Sequence, residues 1–141
     1  MNRLSDWEAR LHDFLEECST AVFGYDHHLD ATHFDCCMFA AGSVIAVTGE
    51  DPAAEFRGKY RSMAGASRAL RTYGAGTLEA TLDGKFAERP VAFARRGDLV
   101  MIDEMVGVCI GADALFIGEE DGVPGLVRFP RAAWLKAWSV G

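Results

Sequence analysis

Asp35-Cys36 is the pair in this sequence best placed to do chemistry. Small and apolar residues follow it, from Cys37 to Val47, so Cys36 falls in the first turn of an expected helix. Exposed backbone amides in a first turn favour a thiolate over a thiol. A nucleophilic cysteine also needs a histidine within hydrogen-bond reach, itself oriented by a third polar group. His33 precedes Cys36 closely enough to fold back across it, and His27 and His28 occupy the segment above. Asp35 reads as the helix cap, with a second reading as a group that tunes Cys36. The plain alternative is that Cys36 is a small buried hydrophobe on an apolar helix, which is also the reading for Cys18, Cys37 and Cys109.

The elements that must position this pair follow from periodicity. Leu4, Trp7, Leu11, Phe14, Leu15 and Cys18 recur at helical spacing, and Ser5 with Glu8 fits a capping box, so residues 4–18 are expected to form an amphipathic helix. His12 lies off that stripe. Residues 20–34 lack a sustained period and read as a long loop, a feature more often functional than idle. The helix from Asp35 should run to Val47 and stop at Thr48-Gly49. Cys36, Phe39, Ala40, Ser43, Val44 and Val47 are its expected inward stripe, and Ala40, Ala41 and Gly42 leave room for a close neighbour. Asp51-Pro52 restarts a helix through Phe56 to Gly58; 66–73 is another, and 78–82 one more turn or two.

Beyond Pro90 the texture changes to short apolar runs at 91–94, 99–102, 106–110, 114–117 and 126–129, several separated by Gly-Asp or acidic turns. That pattern is expected of a small antiparallel meander. Asp98 is the turn residue of the Arg96-Gly97 corner, and Asp103-Glu104 a solvated strand end. Trp134 and Trp138 share the spacing of one helical face, so 131–138 reads as a final helical turn packed on the sheet or docking onto another protein. Helices first and sheet second make an α+β fold, N-terminal helices packed on a C-terminal antiparallel sheet, as a single domain over 1–141.

Composition narrows the functions. The 141 residues are 50% hydrophobic, which excludes wholesale disorder. The net charge of -7, from 21 acids against 14 bases, argues against non-specific nucleic-acid binding. No run approaches the ~20 apolar residues of a membrane span. The polar start, with acids from Asp6, does not read as a signal peptide, so synthesis in a cytoplasm is expected, with the four cysteines reduced. Their spacing has no CxxC pair, so no structural metal or other cofactor is expected.

Asp35-Cys36-Cys37-Met38-Phe39, then Arg96-Gly97-Asp98-Leu99-Val100, then Val106-Gly107-Val108-Cys109-Ile110-Gly111, resembles the NlpC/P60 cell-wall peptidase pattern. More closely, the chain resembles a small uncharacterised family of tailed phages and prophages described as NlpC/P60-like. Thr48-Gly49-Glu50-Asp51-Pro52, Phe56-Arg57-Gly58-Lys59-Tyr60 and the closing Ala137-Trp138-Ser139-Val140-Gly141 add to that likeness, which covers nearly the whole chain. The resemblance implies a papain-like fold with Cys36 as nucleophile. It sets the catalytic histidine on Met105, which can neither take nor give a proton, and the orienting residue around Ala114-Leu115-Phe116, which is apolar. His33 is then the nearest substitute base.

Three functions follow as expectations. The first is a non-catalytic structural component of a phage tail or tail tip, partnered by other tail proteins and located in the virion tail. The second is an active cysteine peptidase or amidase cutting peptidoglycan stem peptides through Cys36. The third is a tail-assembly factor absent from the finished particle.

Overall fold

A computed structural model describes residues 1–25 and 33–141, with His33 described by its backbone alone. Helices α1 (Trp7–Glu17), α2 (Cys36–Thr48), α3 (Met63–Tyr73) and α4 (Leu78–Lys85) precede an antiparallel sheet. The sheet holds β3 (Ala87–Arg89), β4 (Leu99–Ile102), β5 (Met105–Cys109), β6 (Asp113–Glu120), β7 (Val123–Pro130) and β8 (Lys136–Ser139), in the order β3-β8-β4-β5-β6-β7. Two short parallel strands, β1 (Val22–Phe23) and β2 (His33–Phe34), bracket the segment before α2. The arrangement is α+β. No helix of the described residues is long and apolar enough to cross a membrane.

The centre of the molecule is α2, and its burial exceeds a stripe. Met38 to Ala41, Ser43, Val44 and Ala46 to Thr48 are all buried. A helix apolar all round must be enclosed. On one side stands α1, whose Phe14 ring occupies the place a Cβ at Gly42 would take. On another side is a sheet face built from Leu99, Val108, Leu115 and Trp138, whose neighbours Leu99↔Val108, Val108↔Leu115 and Leu99↔Trp138 are paired in register. A third cluster of Phe56, Tyr60 and Ala69 closes over Met38 and Ala41.

The opposite sheet face is covered too, which explains why its strands read as apolar runs without alternation. Val100, Cys109, Ala114, Phe116 and Ala137 pack there under Ala94 and Trp134. Arg131 pins the cover in place, donating to the carbonyls of Val91 at 2.6 Å, Ala94 at 3.0 Å and Gly111 at 2.6 Å while lying over the Trp134 ring.

Four local expectations are corrected. The first helix starts at Trp7 after Asp6, with no side-chain cap, so Ser5 and Glu8 make no capping box. Asp51 accepts from the Ala53 amide at 3.0 Å but launches only a short 3-10 turn, Ala54–Phe56. Residues 91–93 form a 3-10 turn, and the strand beside them is Ala87–Arg89. Residues 131–138 hold one 3-10 turn, Arg131–Ala133, before β8, which enters the sheet between β3 and β4. Trp138 is therefore a strand residue buried against the helices, its Nε1 donating to Asp83 at 2.9 Å.

Asp98 does more than order a corner. It is fully buried and accepts from the amides of Arg95 at 2.9 Å and Val140 at 3.0 Å. Arg3 reaches it at 3.0 Å and Arg89 at 3.5 Å. Arg3 also donates to the carbonyls of Val140 at 2.8 Å and Arg96 at 2.7 Å. Both ends of the chain thus meet on one carboxylate. Asp98→Ala, which strands a buried guanidinium, is expected to cost about 3–5 kcal/mol in urea unfolding; a loss under about 1 kcal/mol would contradict this role.

Candidate functional site

Asp35 has extended backbone (φ -83°, ψ 171°) and turns its side chain over the start of α2. One carboxylate oxygen accepts from the Met38 amide at 2.9 Å, and the other from the Tyr60 hydroxyl at 2.7 Å. Asp35 and Tyr60 are both buried, so each polar tip is held where water is scarce. Burial first, and then the Asp35 charge, raises the Tyr60 phenol far above its ordinary value and keeps it a donor. Tyr25 packs edge-on to Tyr60 at 6.4 Å and to Phe23 at 5.4 Å. Burial, then the nearness of Cys36, Asp35 and Cys37, raises its phenol as well.

Cys36 is partly buried at the first position of the helix. Its thiol is drawn below the ordinary cysteine value, chiefly by a hydrogen bond from the Cys37 thiol, with the Val106 backbone amide helping. Burial and the Asp35 charge oppose that shift. The same sulfur-to-sulfur bond, together with burial, holds Cys37 well above its ordinary value. Cys18 is pushed up to about 12 by burial, and burial also raises Cys109. All four are free thiols, and Cys36 alone is biased toward thiolate.

Val106 belongs to β5, so the wall facing Cys36 begins with the residue next to Met105. Met105 is 39% exposed at that strand start, and a thioether moves no proton. Ala114, Leu115 and Phe116 are buried and apolar on β6. β5 packs closely on β6, where a Cβ at Gly107 would strike the Leu115 carbonyl and the Phe116 ring. His12 is exposed on α1. His27, His28 and the His33 side chain lie outside the described residues. Among the described residues no group of three or more His, Cys, Asp and Glu could hold a metal ion.

Behind the helix start lies an apolar cavity of about 70 Å³, lined by Cys37, Met38, Phe56, Tyr60, Leu82 and Val106 among others. Cys36 does not line it, and among the described residues Lys85 is its one charged member. Such a hollow offers contact area but almost no donors for a peptide backbone.

Two partners of the site escaped the sequence reading. Tyr60 appeared there only within the Phe56-Arg57-Gly58-Lys59-Tyr60 likeness, because nothing local signals a bond to a carboxylate 25 residues away. Cys37 appeared as an inert hydrophobe, although its adjacency to Cys36 was the available signal for a shared proton.

The fold and site thus define an α+β domain with a capped, thiolate-biased cysteine opening its buried helix. A family model described as a domain of unknown function, DUF6950, matches residues 2–140. The chain belongs to this family. No curated protein matches it.

Alkylation of Cys36 followed against pH should have its midpoint below the ordinary ~8.5, and Cys37→Ala should move that midpoint upward by removing the donor thiol. Identical profiles would contradict the shared hydrogen bond. Tyr60→Phe removes one donor from Asp35 and should cost about 1–2 kcal/mol in stability by urea unfolding; no measurable loss would contradict that contact.

Proposed function

We propose that this chain is an NlpC/P60-like, papain-like domain with a disabled hydrolase site, used as a structural component of a tailed-phage tail or tail tip. The observation that carries the disabled site is Met105. It directly precedes the amide that reaches Cys36, on the strand where the resemblance sets a histidine. A thiolate without an acid to protonate the leaving amine cannot complete amide cleavage. The apolar stretch Ala114-Leu115-Phe116 supplies no orienting group either. Assignment to a tail rests on the motif likeness along the chain, and its partners there are other tail or tail-tip proteins.

One observation favours a second reading, a cysteine peptidase or amidase acting on peptidoglycan stem peptides. Cys36 is lowered from its ordinary value at a helix start, as a nucleophile requires. In that reading Cys36 attacks the amide carbonyl, amides at the helix start hold the oxyanion, and water releases the acyl enzyme. The proton for the leaving amine then has to come from the His33 side chain.

Purified peptidoglycan fragments incubated with the protein should yield no new amine. Release that Cys36→Ala abolishes would overturn the disabled-site reading in favour of the hydrolase. In particles purified from a host carrying the gene, mass spectrometry should find the chain. Absence from particles that nonetheless fail to assemble without it would make it an assembly factor instead.

A further inference from the structure

The bases of this acidic chain are mostly occupied. Arg3, Arg57, Lys85, Arg89, Arg128 and Lys136 each stand against a carboxylate. Arg10, Arg95 and Arg131 donate to backbone carbonyls. Five bases do neither among the described residues, and three of these, Lys59, Arg61 and Arg68, line one cleft of about 520 Å³, while Arg71 and Arg96 lie outside it.

The cleft follows from local sequence. Gly65, Arg68, Ala69 and Thr72 recur at helical spacing on α3, and the near absence of side chain at Gly65 and Ala69 hollows that face. Gly58 to Ser62 forms the opposite wall and contributes Lys59 and Arg61. Ser62 caps α3 by accepting from the Gly65 amide at 3.0 Å, so the positive end of an 11-residue helix opens into the same space. The hydroxyls of Ser62 and Thr72 add polar lining, and among the described residues no acid lines the cleft. Lys59 leans over the Tyr73 ring at 5.5 Å, an arrangement that leaves its ammonium able to donate.

Three like charges around one hollow repel each other, and in a chain of net charge -7 an internal carboxylate was the readily available remedy. We propose that this cleft is a binding site for a small oxyanion of two or more adjacent charges, phosphoryl or carboxylate. Arg61 and Arg68 grip it from opposite walls, and Lys59 adds a third charge at the rim. Cys36 does not line this cleft.

Isothermal titration at low salt with inorganic pyrophosphate and, separately, citrate tests this. Binding of either anion, weakened about tenfold by Arg61→Ala and by Arg68→Ala and largely kept by Arg68→Lys, is the expected result; the tighter anion names the preferred oxyanion. Arg96→Ala, which removes a half-buried base elsewhere, should leave the affinity unchanged. No binding of either anion, or an equal loss in Arg96→Ala, would overturn the proposal.

Discussion

A helix without a polar face sets the terms for the rest of this molecule. Once α2 is apolar on every side, α1, the sheet and the Phe56–Tyr60–Ala69 cluster must each cover part of it. Burying a side chain such as Phe39 or Val44 contributes about 1.5–3 kcal/mol, against about 1 kcal/mol for a helix cap. Packing therefore fixes where the helix lies, and capping fixes where it begins. Polar groups converge on its first turn through Asp35 and Tyr60, and Cys36 inherits a surrounding chosen by that enclosure.

Two buried carboxylates carry out the same task at different places. Asp35 joins the start of α2 to Tyr60, and Asp98 joins the start of β4 to Arg3, Arg89 and Val140. Each is shared between a nearby amide and a distant side chain, so each links local geometry to the long-range fold. The link at Asp98 draws the last residues against the first and so supports the placement of β8 inside the sheet. With β4 held there, β5 presents its first residues to Cys36.

Features with strong local causes were legible in the sequence. The start of α2 was marked by an acid before an apolar run, and its end by Gly49, whose φ of 79° suits glycine. The strands at 99–102 and 105–109 were marked by apolar runs between turn residues. β8 was hidden because Trp134 and Trp138 happen to fit a helical period, while their burial on opposite sheet faces depends on covers elsewhere in the chain. β3 was hidden because Ala87, Glu88 and Arg89 form a largely exposed edge strand with no apolar pattern. Within the site, Cys36 and Asp35 announced themselves; Tyr60 could not, and neither could Arg3 at Asp98, since their partners are remote in sequence.

The proposed disabled site turns on Cys36 having no base to work with, and His33 is the substitute the sequence offers. Replacing His33 with alanine and following Cys36 alkylation against pH tests that most directly. An imidazole serving the sulfur would stabilise its thiolate, so without one the His33→Ala profile should superimpose on the unmodified protein's. A His33→Ala profile shifted to higher pH would mean that His33 supports the thiolate, and the disabled-site proposal would fall with it.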